Sequence, residues 1–174
     1  LGVDAAYSIE DLDARLPQYL AGAQTLWYDI DARSDWEPAV RRALLQARSI
    51  TRRRGIAPEA IAQPFNVLHR MRLYKSADEI DTMRRAAAIT HLGHVAGMRA
   101  TRPDKYEYEI EAAIEYEYRR KGAQREAYES IVAGGDNATI LHYNTNRDRL
   151  ADSTLLLVDS GCELDYYASD VTRT

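Results

Sequence analysis

A single cysteine, Cys162, stands among the 174 residues, so no disulfide can close within the chain and a reducing, cytoplasmic setting is expected. No apolar run reaches the roughly 18 residues that a membrane-spanning helix needs, so a membrane is not expected as a partner. There is no excess of basic residues: 23 Lys and Arg face 27 Asp and Glu with the signs interspersed, which argues against nucleic acid as the main partner. A charged-then-apolar leader is also missing, so nothing marks export. What is present is ordinary for a globular protein, 45% hydrophobic and 29% charged, enough for one sizeable core or two small domains.

The chain opens on Leu1 rather than Met and stops inside a β-prone run at Thr174, so it is expected to be a piece of a longer protein. A strand cut there would leave ladder hydrogen-bonding groups without a partner. At the other end, Ser8 precedes Leu12, Leu16, Tyr19 and Leu20 at helical spacing, a capped helix that Pro17 shortens or kinks. A strand is expected over Gln24 to Ile30. A second helix is expected from Ser34, with Glu37 completing a capping box, Pro38 in the first turn, and Val40, Leu44, Ala47 and Thr51 on one face. This αβα order predicts that residues 1–66 form the tail of an amino-terminal α/β domain. The run Thr51-Arg52-Arg53-Arg54 reads as a solvated helix end, where cations complement the dipole.

Ile61 to Asn66 is expected to be a linker, and Val67 to Ser76 an extended entrance to a second domain. Ser76 and Glu79 then form a capping box for a helix of some 24 residues, with Ile80, Met83, Ala87, His91, Val95 and Met98 at helical spacing. His91 and His94 lie three apart on it but have no third ligand nearby, so they are read as structural. Another helix follows to about Lys121, burying Tyr106, Ile110, Ala113, Ile114 and Tyr118 and ending at Gly122. Glu129 to Asn137 reads as a strand leaving through a glycine turn, and Ala138 to Tyr143, which carries His142, as a short apolar strand.

Leu155-Leu156-Leu157-Val158-Asp159 and Tyr166-Tyr167-Ala168-Ser169-Asp170 then read as two antiparallel strands around the break at Gly161. Side chains alternate along a strand, so a hairpin can bring Asp159 and Asp170 together on one face. Two such anions repel, and a pair of hard divalent cations is the usual remedy. Aspartates near strand ends are also common turn formers and solvated charges, and spacing alone leaves that reading open.

The wording VDSGCE followed by YASDVTRT, with the aspartates eleven positions apart, resembles the metal-ligand segment of the Xaa-Pro aminopeptidases (aminopeptidase P) of the pita-bread metallopeptidase family, which includes prolidase and creatinase. MRLYKSADEI is similar to the entrance of that family's catalytic domain, and ILHY to the segment of its active-site histidine. The resemblance implies an α/β tail over 1–66 and, over 67–174, an α+β first half of a pita-bread domain, two helices plus antiparallel sheet. It implies Asp159 and Asp170 as metal ligands, His142 as a catalytic and substrate-binding residue, and Arg52 as a substrate-binding one. The cofactors implied are two divalent ions, Mn with Co or Zn as alternatives, and the reaction is hydrolysis of the bond before a proline by a hydroxide bridging the two metals. The partner implied is a peptide with proline at its second position. A histidine and two glutamates would come from sequence beyond Thr174, so the chain alone is expected to be inactive. It is also expected to associate with the missing half or with a second copy. A prolidase, a pita-bread binding module without catalysis, and a globular protein with solvated aspartates are the alternatives.

Overall fold

The structure is a computed structural model that describes residues 3–29, 35–51 and 55–174. The chain divides into two compact units, Leu1–Tyr74 and Lys75–Thr174.

In the first unit, a 3-10 turn at Ile9–Asp11 leads into helix α1, Leu12–Leu20, with the Ser8 hydroxyl accepting from the Glu10 N–H as expected. Pro17 lies buried inside α1, which ends three residues later. Strand β1, Thr25–Trp27, is followed by α2, Glu37–Ile50, whose Val40, Ala43 and Ala47 are buried. The expected cap Ser34 lies outside the described residues. Leu20, Ala43 and Ala47 form the core here, with Leu16, Leu26 and Leu44 packed against it. The expected linker, Ile61 to Asn66, begins in strand β2, Ala60–Ala62, which pairs in parallel with β1 from Thr25 opposite Ala60 to Trp27 opposite Ala62. The expected extended entrance is helix α3, Phe65–Leu73, which Pro64 precedes as N-cap. Leu, Arg and Met favour a helix over a strand, and Arg70 and Arg72 complement its carboxy-terminal dipole. Helices beside a parallel strand pair make this unit α/β.

The second unit begins at α4, Ala77–Ala100. The Ser76 hydroxyl accepts from the Glu79 N–H at 3.3 Å and the Glu79 carboxylate accepts from the Ser76 N–H at 2.6 Å, the capping box that the sequence predicts. Helix α5, Glu107–Arg120, packs on α4 through Ile110, Ile114 and Tyr118. The buried stripe of α4 differs from the expected one: Ala86, Thr90, Gly93, His94 and Gly97 face inward, whereas Ala87, His91 and Met98 are exposed. The reason is close packing. A Cβ at Gly93 would stand 2.3 Å from the Tyr118 ring, so small residues mark the contact better than large apolar ones do. Of the tyrosines on α5, Tyr118 packs inside while Tyr116 is exposed, and Tyr106 stacks on Tyr108 at the surface.

Two three-stranded antiparallel sheets cover the helix pair. One runs β4-β5-β8, with β4 at Ile131–Gly134, β5 at Leu156–Ser160 and β8 at Val171–Arg173. The other runs β3-β6-β7, with β3 at Arg125–Glu126, β6 at Cys162–Leu164 and β7 at Tyr167–Ala168. The single hairpin expected around Gly161 is therefore a detour: the chain leaves β5, makes β6 and β7 in the second sheet, and returns as β8 beside β5. The segment 138–143 is also not a strand. Gly135–Thr139 is a 3-10 turn, Ile140 and Leu141 are exposed, and His142 has φ +56°. Helices segregated from antiparallel sheets make this unit α+β.

Candidate metal centre

Alternation along β4 and β5 decides which side chains meet. Val132, Leu156 and Val158 face the helix core, while Ile131, Ala133 and Leu157 form a second cluster with Tyr143 on the opposite face. Asp159 is opposite Ile131 on one side and Thr172 on the other, so it lies on that second face. Two residues before Thr172 stands Asp170, which returns to the same face. The sequence expectation that the two carboxylates come together is met geometrically.

They come together on a phenol. The Tyr128 hydroxyl oxygen lies 2.7 Å from Asp159 Oδ1 and 2.8 Å from Asp170 Oδ1. One hydroxyl has a single proton to donate, so two acceptors at this distance leave one of them without it. Burial first, and then the two carboxylates, push the Tyr128 pKa far above the usual phenol range. Asp159 is half-buried and Asp170 exposed. Paired oxygen donors facing one point suit hard divalent cations. Among the described residues no group of three or more His, Cys, Asp or Glu that could hold a metal stands together, so the two aspartates are at most a partial donor set.

A cavity of about 380 Å³ opens beside the pair, lined in part by Tyr128, Ile131, His142, Asp159 and Asp170. His142 thus shares the cavity with both aspartates. Arg52 lies outside the described residues. His91 is exposed and His94 buried, with His94 Nε2 donating to the Ser160 carbonyl at 3.2 Å, so the two do not form a site together.

Four features had no clear signal in the sequence. Tyr128 precedes β4 by a few residues, and only the register of β4 against β5 reveals that it reaches Asp159. The residues flanking the aspartates are clamped by hydroxyls: Ser160 Oγ is 2.9 Å from both the Tyr118 hydroxyl and Ser130 Oγ, and Ser169 Oγ is 2.6 Å from Thr90 Oγ1. Gly161 sits where a Cβ would meet the Ser169 carbonyl oxygen at 1.8 Å, so only glycine lets the two ligand-bearing segments approach. Glu107, the first residue of α5, is a carboxylate buried behind the same loop that carries His142.

The sequence profile of metallopeptidase family M24 matches residues 81–174, more than half of the chain. The chain belongs to that family. Among M24 relatives, the Xaa-Pro aminopeptidase of Escherichia coli (strain K12) is 37% identical over 174 residues, which is 100% of this chain and 40% of the relative. The Xaa-Pro aminopeptidase of Haemophilus influenzae is 40% identical, covering 100% of this chain and 38% of the relative. The chain therefore spans about two fifths of the length of these relatives. Zinc-substituted E. coli aminopeptidase P, solved in complex with product, matches 99% of this chain and 39% of its own with a TM-score of 0.90 and 37% identity. The pita-bread fold and the M24 assignment agree with the helix pair and antiparallel sheets described above.

Proposed function

We propose that this chain furnishes one wall of the active site of a metal-dependent aminopeptidase that releases the residue preceding a proline. The observation that carries the reading is the meeting of Asp159 and Asp170 at the Tyr128 hydroxyl, on a cavity shared with His142. Asp159 and Asp170 would hold divalent metal, with Mn as the first choice and Co or Zn as alternatives. The zinc-substituted relative is in keeping with a site that accepts more than one such ion. A pair of cations, when bound, supplies Lewis acidity towards the scissile carbonyl and a nucleophile at neutral pH. His142 has a donor and an acceptor nitrogen, suited to hydrogen-bonding the peptide at the scissile amide. Arg52 is assigned to the substrate on the family wording alone. The remaining ligands, a histidine and two glutamates, would come from outside these 174 residues, in a covering half of the domain or an associated copy. Residues 1–66 and 67–174 are assigned to the amino-terminal α/β domain and to the first catalytic half, in a cytoplasmic protein.

The test is hydrolysis of Xaa-Pro peptides by the protein expressed in full length with Mn²⁺. Release of the first residue from tripeptides supports the aminopeptidase, and cleavage confined to dipeptides would convert it to a prolidase. Unchanged turnover after Asp159→Asn and Asp170→Asn would remove the metal assignment. The 174-residue chain alone is expected to cleave neither substrate, and cleavage by it would mean that the ligand set is wrong.

A further inference from the structure

The carboxylate of Glu107 is fully buried and accepts four hydrogen bonds. Oε1 accepts from the Gly134 N–H at 2.8 Å and from Asn137 Nδ2 at 3.0 Å. Oε2 accepts from the Tyr143 hydroxyl at 2.7 Å and from the Asp148 N–H at 3.0 Å. Three of these partners, the two backbone N–H groups and the amide, can only donate, and the carboxylate meets all of them with its acceptor oxygens. All four partners are neutral, and the amino-terminal end of α5 adds its positive dipole end to them. Burial first, and then Glu107, push the Tyr143 phenol up to about 12, which keeps its proton in place to donate at neutral pH.

The four anchored points enclose the loop of interest. Gly134 ends β4, Asn137 is in the 3-10 turn, Tyr143 directly follows His142, and Asp148 closes the loop. His142 itself is exposed in a left-handed conformation (φ +56°) between the outward-facing Leu141 and the buried Tyr143. Its own backbone does not hold it there: a non-glycine residue in this region is strained unless its neighbours impose the conformation. We propose that Glu107 is a positioning residue: by clamping Tyr143 and Asp148 it fixes the turn that presents the His142 imidazole to the cavity beside Asp159 and Asp170. The inference rests on the role given to His142 above, but its geometry is testable without turnover.

Glu107→Gln keeps the shape and exchanges one acceptor for a donor. With its amide oxygen towards Gly134 and Asn137, its nitrogen can be accepted by a rotated Tyr143 hydroxyl but leaves the Asp148 N–H without an acceptor, so the loop yields before the strand does. Tyr143→Phe removes the link next to His142 and keeps the ring. Both variants are expected to displace the His142 ring resonances in histidine-labelled protein while the His69 and His91 rings, which are remote from Glu107 in the sequence and exposed, stay in place. Ile110→Val, on the same helix and in the core, is the control: it lowers Tm and leaves His142 unmoved. In the full-length enzyme Glu107→Gln should lower kcat about tenfold or more with KM within about twofold. An unmoved His142 ring in both variants, or an equal displacement in Ile110→Val, overturns the proposal. If Glu107→Gln does not fold, Tyr143→Phe decides. If the unaltered full-length protein fails to cleave Xaa-Pro peptides, the functional reading falls while the ring resonances still judge the clamp.

Discussion

Gly161→Ala is the substitution whose consequences follow most directly from the geometry. The new methyl would lie 1.8 Å from the Ser169 carbonyl oxygen, 2.6 Å from its carbon and 3.1 Å from the Asp170 nitrogen. All three are backbone atoms, so no side chain can swing aside. The contact has to open from 1.8 Å to at least 3.0 Å, a retreat of about 1.2 Å by one segment from the other. That retreat strains the Ser169 N–H to Cys162 carbonyl bond at 3.0 Å and the Cys162 N–H to Ser169 Oγ bond at 3.1 Å, both inside the core. Overpacking costs about 1–3 kcal/mol, and each buried donor left without a partner about the same. A loss of about 3–5 kcal/mol results if the strained bonds partly survive. In a unit of this size, each kcal/mol moves Tm by about 4–8 °C, so Tm should fall by at least about 12 °C in a circular-dichroism melt. A fall under about 4 °C would refute the close approach of the two segments. The aspartates should part as well, because Asp170 directly follows the displaced residue.

Asp170→Asn should weaken Mn²⁺ binding in the full-length protein at least tenfold by calorimetry with little effect on Tm, since the side chain is exposed; equal affinity would show that this carboxylate is not a ligand. Glu115 and Glu111 sit near Glu126, and burial, then neighbouring carboxylates, raise their pKa values above the ordinary 4.5. The folded state therefore binds protons that the unfolded state has released, and the resulting instability is absent below pH 4.5 and fully present above the raised values. Glu115→Gln should raise Tm at pH 7 by about 1–3 °C and leave it unchanged near pH 4. A gain at both pH values, or at neither, would contradict this origin.

Much of the frame was legible because its signals are local. The Ser76 and Glu79 capping box, the helix to about Lys121 and the strand ending in Asp159 each depend on residues within a few positions of one another. What the sequence hid depends on distant contacts. The inward stripe of α4 includes Gly93 and Gly97, whose meaning comes from Tyr118 and Ile114 on the other helix. Ile140 and Leu141 look like a buried strand, yet the donors around them are drawn to Glu107, more than 25 positions earlier, and both side chains remain outside. At the candidate site the aspartate pair was recognisable from its wording, and Tyr128 was not: nothing near it shows that it is 2.7 Å from a residue 31 positions away.

The way the Glu107 charge is accommodated has a consequence for conditions of use. A buried anion balanced by amides and a phenol has no mobile counter-ion to exchange, so added electrolyte has little to screen. The Arg125 and Glu163 pair on the second sheet, 2.8 Å apart with its arginine exposed to solvent, is more open to screening and weakens as ionic strength rises. The loop bearing His142 should accordingly keep its shape from dilute buffer to molar salt while the rim of the molecule loosens around it.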